Sequence, residues 1–474
     1  MIIVFEFIIL IALLVCYKFA PEQISAEYLT VVISLALLSY ILLWCEERIK
    51  LMFREHFLSN ITLFTLCFCI ICFQFPIDYI LDNKDINFSN YFYSFHTINL
   101  STTFNAICLV SFNIGVLHKS LKLNSIKKRL EWEDITIIPT RPLYLIMLSF
   151  WFGFICFINM AYINGGHGTV KANPISLSCY GYFCRFNIIF LAISLHKILN
   201  RREKLSLLSS ILSLPKVYWF IILTSALLFY FANNRVYTFY VLFPALFYLL
   251  SVTKIKTKPL ISLLIIIIVG VFFTLFKIYG IDRMFTEGTI DVSSLSHYDR
   301  FSSFSPFTSE LAGSIWADSA LFYIWYNRGI VIMGSTLVLG VLRTISGTTP
   351  IFFAITGMSE KTYSSASFVT NELSAEYGLG SSVSGDLIVS VGFYGTLIVM
   401  YFLGRVCFVG DSSLFNKLYT FKGLLVGICV SSQIVFVTRS SLCDLISILL
   451  FCLIFSRIYI KYYQNKLHHN RSIS

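Results

Sequence analysis

Long apolar runs separated by short polar stretches dominate the chain, and neither the period of a half-buried strand nor that of a surface helix persists across them. Windows of about 17–25 apolar residues, the length that crosses roughly 30 Å of hydrocarbon, fall at Ile2–Phe19, Tyr28–Cys45, Phe57–Phe75, Ile98–Leu117, Leu143–Ile163, Ile175–Leu195, Val217–Ala232, Val236–Val252, Leu260–Tyr279, Asp386–Leu403, Leu424–Val437 and Ser441–Phe455. This pattern predicts an all-α polytopic membrane protein with about twelve transmembrane helices. The first window has no basic leader and no small-residue cleavage site, so it reads as a retained span.

One long stretch breaks the rhythm. Asp282–Gly385 opens with the polar cluster RMFTEGTIDVSSLSHYDRFSSFSPFTSE, continues with the half-length apolar segment GIVIMGSTLVLGVLR (Gly329–Arg343) and ends in YGLGSSVSGD (Tyr377–Asp386). It divides the chain into an N-terminal membrane bundle of about nine helices (1–281), a long loop with re-entrant or amphipathic segments (282–385), and about three C-terminal helices with a tail (386–474). Gly329–Leu342 is too short to span and is expected to dock at the membrane interface.

Composition agrees with the pattern. Of the 474 residues, 57% are hydrophobic and 13% charged, and the mean hydropathy is +0.77, far from a soluble domain with about 25% charged residues. The formal charge of +11 raises the question of nucleic acid. Its placement answers that, because most Lys and Arg fall in alternate loops, as in Arg48, Lys50, Arg54, then Lys119, Lys122, Lys127, Lys128, Arg129, and again Arg405, Lys417, Lys422. Basic residues collect in cytoplasmic loops; both termini are therefore expected inside and Asp282–Gly385 outside, with no nucleic-acid partner. Cys67, Cys69 and Cys72 mimic a metal spacing, but no His or carboxylate shares their run, and they read as small packing residues. No metal and no cofactor is expected.

The cations left on the outer side carry the candidate chemistry. Arg185 lies about ten residues into its span, roughly 15 Å deep at 1.5 Å per residue, where a cation needs a partner or an aqueous cavity. Arg235 and Arg439 occupy tight outer turns, ANNRV and TRSS. With Arg283, Arg300 and Arg343 they suggest a positive ring suited to phosphate or pyrophosphate, which guanidinium grips in bidentate geometry. Snorkelling or pairing with a carboxylate is the other reading of Arg185, and interface anchoring that of Arg235 and Arg439. Glu287, Asp291, Asp299, Glu310, Asp318, Glu372, Glu376 and Asp386 supply general-base candidates in or beside the loop. Asp386, opening a span after a glycine, is also placed to cap a helix. His167 and His297 are candidate proton carriers. Trp316, Tyr323, Trp325 and Tyr326 offer either sugar-stacking faces or interfacial anchors.

The run YNRGIVIMGSTLVLGVLRTI (Tyr326–Ile345), followed by GLGSSVSGDLIVSVGFYGTLIVMYFLG (Gly378–Gly404), resembles the O-antigen polymerase and oligosaccharide repeat-unit polymerase family. Gly334, Ser335 and Arg343 fit the first part of its motif, with Leu342 in place of the usual Pro. Asp386 stands where Glu is commoner, and Gly392, Phe393 and Gly395 match the turn that follows. The resemblance covers roughly the C-terminal half of the chain. It implies a GT-C-like glycosyltransferase fold in the bacterial inner membrane that joins undecaprenyl-pyrophosphate-linked repeat units without a nucleotide sugar. It also implies a chain-length regulator protein as a partner. Arg185, Arg235, Arg439, Arg283 and Arg300 would then bind pyrophosphate, and Asp386 and Arg343 would be catalytic. An O-antigen ligase, a lipid-linked oligosaccharide flippase and an inactive scaffold remain as alternatives.

Overall fold

In hydrocarbon every backbone amide needs a partner within the chain, so long apolar runs resolve into helices. The computed structural model describes residues 2–81, 95–122, 135, 138–160, 173–200, 204–231, 235–254, 256, 258–259, 262, 264, 313–359, 363–372, 380–415 and 420–473. In chain order the helices are α1 (Ile2–Lys18), α2 (Ala26–Cys45), α3 (Glu47–Glu55), α4 (Asn60–Ile80), α5 (Phe95–Lys122), α6 (Arg141–Phe157), α7 (Pro174–Asn200), α8 (Leu207–Leu212), α9 (Lys216–Phe231) and α10 (Arg235–Val252). They continue with α11 (Ser314–Arg328), α12 (Ser335–Leu342), α13 (Thr348–Thr356), α14 (Ser365–Glu372), α15 (Val383–Phe415), α16 (Phe421–Val437) and α17 (Cys443–Ile473). Among the described residues six helices, α2, α4, α5, α7, α15 and α17, are long and apolar enough to cross a membrane, and α6, α9, α10 and α16 are shorter apolar helices. The chain is a helical, multi-pass membrane protein by this criterion. The window Leu260–Tyr279 lies, but for Ser262 and Leu264, outside the described residues.

Helix α5 is the axis. It is buried along its whole spanning window and packs against α1, α2, α4, α11 and α15. Contact with α15 is backbone-close: a Cβ built on Gly404 would lie 2.1 Å from the Phe112 carbonyl oxygen, and one on Gly115 would lie 2.0 Å from that of Tyr401. Small residues permit this approach where lipid gives no hydrophobic drive between helices.

Polar side chains on α5 then act as rungs to its neighbours. Asn99 Nδ2 donates to the Pro21 and Gln23 carbonyls (2.9 and 2.8 Å), and Tyr28 OH meets Thr103 Oγ1 at 2.7 Å. Asn105 Nδ2 donates to Asp318 Oδ2 at 2.7 Å. Asn113 Nδ2 donates to Ser39 Oγ at 2.8 Å, and that hydroxyl donates to Glu6 at 2.5 Å. Each bond removes a polar group that would otherwise be orphaned in a dry interior.

Helix α15 is broken at Gly392, whose φ of 74° and ψ of −178° no helix contains. The break frees carbonyls one turn earlier, and the half-length apolar segment takes them. Ile332 N donates to the Val389 oxygen (3.2 Å) and Gly334 N to that of Ser390 (2.8 Å). The half-length apolar segment is therefore built into the kink rather than resting over the bundle. The same holds for α11, which buries Ile315, Trp316, Ala320, Leu321 and Phe322. Trp316 packs edge-on against Phe75 at 5.5 Å, so it is a packing residue and presents no face to a sugar.

Candidate functional site: the two ends of a short helix and the cleft beside it

Helix α12 has eight residues, about 12 Å of rise, and cannot span. Gly329 (φ 76°) ends α11, and Gly334 (φ 69°) precedes the first turn of α12; both φ values favour glycine. At its N-terminal end, Thr336 N donates to Ser390 Oγ (3.2 Å) and Thr336 Oγ1 to Asp386 Oδ2 (2.8 Å). The other carboxylate oxygen of Asp386 accepts from Ser365 Oγ at 2.5 Å.

At its C-terminal end the guanidinium of Arg185 donates to the carbonyls of Thr344 (2.8 Å) and Arg343 (2.7 Å) and to Ser447 Oγ (2.8 Å). Its carbon lies 5.4 Å from the Tyr182 ring centre and 5.2 Å from that of Phe451. The cation at the negative end complements the helix dipole. Along its flank α12 rests on α17 at Gly340, where an added Cβ would lie 2.8 Å from Ile446 Cβ.

This arrangement presents Arg343 to a cleft of about 600 Å³ lined by Tyr237, Arg343, Thr349, Pro350, Phe353 and Asp444. Arg343 Nη1 meets Asp444 Oδ1 at 3.3 Å, with the two side chains 32% and 44% exposed. Tyr240 OH donates to the second oxygen of Asp444 at 3.1 Å. Asp444 stands in the first turn of α17, where a carboxylate is favoured. The far wall is α13, which buries none of its own residues and is bounded by Gly347 (φ 92°) and Gly357 (φ 69°).

The sequence-derived candidates separate on this geometry. Arg185 and Arg343 come together at the end of α12. Arg185 is engaged with backbone carbonyls, a hydroxyl and aromatic rings, a set of partners that is neither the carboxylate pairing nor the open anion cavity of the sequence reading. Arg439 follows α16 and lies against Gly380, where a Cβ would be 3.4 Å from its Nε. Arg235 opens α10, the helix that carries Tyr237 and Tyr240 to the cleft; its side chain lies outside the described residues, as do Arg283, Arg300, His167 and His297.

Asp386, read from sequence as a general-base candidate and a helix cap, is enclosed. It is 1% exposed, and it does not cap its own helix, since Ser382 Oγ accepts from Gly385 N (3.0 Å) in that role. Asp318 is likewise buried, accepting from Asn105 and from Ser382 Oγ. Among the described residues no His, Cys, Asp and Glu side chains group as metal ligands, and Cys72 packs in the core beside half-buried Cys67 and Cys69.

Sequence reasoning passed over Asp444. The signal was available: like Asp386 it is a carboxylate opening an apolar run, and it stands five positions after Arg439 in TRSSLCD. Tyr240 gave no signal, because a tyrosine in an apolar span is ordinarily packing. Comparison with protein-family models, with curated proteins and with solved structures finds no match to the chain.

Proposed function

We propose that the chain is a membrane-embedded glycosyltransferase that joins undecaprenyl-pyrophosphate-linked repeat units at the cleft of Arg343 and Asp444. Its helices would form about twelve spans in a GT-C-like arrangement in the bacterial inner membrane, with both termini cytoplasmic and the cleft on the outer side. The observation that carries the reading is the half-exposed pair itself. A guanidinium and a carboxylate 3.3 Å apart, both reachable from a cleft, supply the two groups this transfer needs.

A pyrophosphate ester entering the cleft competes with Asp444 for Arg343, because phosphate oxygens match the guanidinium fork at least as well. Its arrival frees Asp444, still held by Tyr240, to accept the proton of an acceptor hydroxyl. The hydroxyl oxygen then bonds the anomeric carbon of the growing chain. The bond from that carbon to the pyrophosphate oxygen breaks, and the leaving group departs with the electron pair, its charge opposed by Arg343. Tyr237 and Phe353 offer ring faces to the sugars. Arg185 and Asp386 act as positioning residues, fixing the helix that ends at Arg343.

The resemblance of Tyr326–Ile345 and Gly378–Gly404 to repeat-unit polymerases supports the same reading. A deletion strain tests it through its surface glycan. Single-repeat caps, restored to long chains by the wild-type gene but not by Asp444→Asn or Arg343→Gln, are the expected result. Absence of every repeat would instead indicate a flippase or a ligase.

A further inference from the structure

A second set of cations gathers where α5 ends. The Nδ1 of His118 is hydrogen-bonded with the hydroxyl of Tyr401 on α15, and the guanidinium of Arg405 lies 5.6 Å from the ring centres of both Tyr401 and Phe402. Lys119 and Lys122 occupy the last turn of α5, and with Arg405 they are near enough to act electrostatically on the His118 ring. Arg48 on α3 reaches the same end, its Nη1 donating to the Ser120 carbonyl at 2.9 Å. Glu46 is occupied capping α3 through the amides of Arg48 and Ile49, and Glu47, next to Arg48 in sequence, is exposed. Among the described residues Arg48, Lys119 and Arg405 make no ion pair.

An apolar track leads to these charges. Tyr394, Ile398 and Phe402 are 79%, 58% and 52% exposed; spaced four apart on α15, they share one helix face. Arg405 follows three positions later on that face. A soluble anion would use the charges and leave the track unused, whereas an amphiphile with an anionic head uses both.

We propose that this end of α5 and α15 is a binding site for the phosphate headgroup of an anionic glycerophospholipid, with an acyl chain lying along Tyr394, Ile398 and Phe402. Arg405 is the central contact: its guanidinium sits over two aromatic faces, and its fork is left for phosphate oxygens. Lys119 and Lys122 flank it as point charges. The site lies apart from the Arg343 cleft and does not depend on the function proposed for it.

The full-length protein, purified in detergent and washed free of loosely held lipid, is exposed to phosphatidylglycerol or phosphatidylcholine and the retained lipid counted by native mass spectrometry. Wild-type protein is expected to retain phosphatidylglycerol over phosphatidylcholine, and the Lys119→Ala/Lys122→Ala/Arg405→Ala variant to lose that preference by at least about tenfold. The Lys119→Ala/Lys122→Ala pair, confined to the helix end, is read alongside and is expected to give a partial loss. Equal retention of the two lipids by wild-type protein, or an unchanged preference in both variants, overturns the proposal. Displacement of the retained lipid by millimolar inorganic phosphate alone also overturns it, by making the site one for soluble anions.

Discussion

Asp386 and Arg185 hold opposite ends of one eight-residue helix: the carboxylate accepts from Thr336 in its first turn, and the guanidinium donates to the carbonyls of Arg343 and Thr344 just past its last. The two residues lie far apart in sequence and on different spans. Their shared task explains why two such polar groups are largely enclosed, and it makes the direction of Arg343 a consequence of both.

Removing the guanidinium therefore strands two carbonyls and a hydroxyl in a dry site. Arg185→Met is expected to lower stability by about 2–3 kcal/mol, the scale of charge-assisted bonds lost in burial. Arg185→Lys is expected to recover only part, since one ammonium cannot reproduce the fork. Thermal unfolding in detergent reads both. A melting midpoint unchanged in Arg185→Met would show that the cap contributes nothing.

The two aspartates are expected to part company. Asp444→Asn should abolish long-chain glycan at normal protein levels, because an amide is a poor base. Asp386→Asn should leave chains at reduced yield and cost about 1–2 kcal/mol, since Asn keeps one acceptor and hydroxyl partners can reorient around its amide. Glycan ladders and melting curves on the same strains separate them. Loss of all polymer in a stable Asp386→Asn protein would return the catalytic role to Asp386.

Close approach of α5 and α15 sets a third expectation. Gly404→Leu places a side chain where a Cβ alone would be 2.1 Å from a backbone oxygen, so the helices must separate. Overpacking of this kind costs roughly 1–3 kcal/mol or more. Folded yield is expected to drop sharply, while Gly181→Ala, with open space around its Cβ position, should be silent. Equal yields from the two variants would contradict the packing.

Sidedness is accessible through thiol labelling. Ser365 is a poor reporter because it is 3% exposed and bound to Asp386; Ser346, exposed beside Arg343, is a good one. In a background with the exposed Cys45 and Cys156 changed to Ser, the proposed inner-membrane topology has Ser346→Cys reacting with an impermeant maleimide on cells whose outer membrane has been permeabilised. Reaction only after the inner membrane is broken would invert the topology.

His56 brings a pH dependence. It lies between α3 and α4, 2% exposed, stacked on Phe415 at 4.6 Å, and burial pushes its imidazole down from 6.5 to about 4, with the Lys204 charge acting in the same direction. With the folded value below the unfolded one, the unfolded chain binds the extra proton. The neutral ring's contribution is thus fully present above 6.5 and declines as pH falls toward 4. The full loss is on the order of 3 kcal/mol. His56→Phe is expected to flatten stability across that window; a parallel decline in the variant would assign the dependence elsewhere.

Several elements are legible in the sequence. Apolar windows mark eleven segments that are helices here; polar caps such as Ser25 and Thr420 accept the first amides, and α15 and α17 run well past the ends of their windows, to Phe415 and Ile473. The glycines of the half-length apolar segment mark its turns. The sequence singles out Arg343 by its place at the end of that segment and Arg185 by its charge within an apolar run; the roles given to them are those proposed above.

What sequence determined alone was the class and the list of parts: a membrane protein of helices, one interrupted segment, and a few charges out of place. Those follow from local quantities, namely transfer free energy summed over a window and the φ preferences of glycine. Tertiary structure alone decided which charges face water and which face each other. Asp386 and Asp444 look alike in sequence, each a carboxylate opening an apolar run, yet one is sealed beneath α12 and the other stands in a cleft. That difference arises because burial of a helix end depends on what packs over it. Here the cover over Asp386 comes from α12 and α14 of the long loop, docked through amides that bond to the carbonyls freed at Gly392.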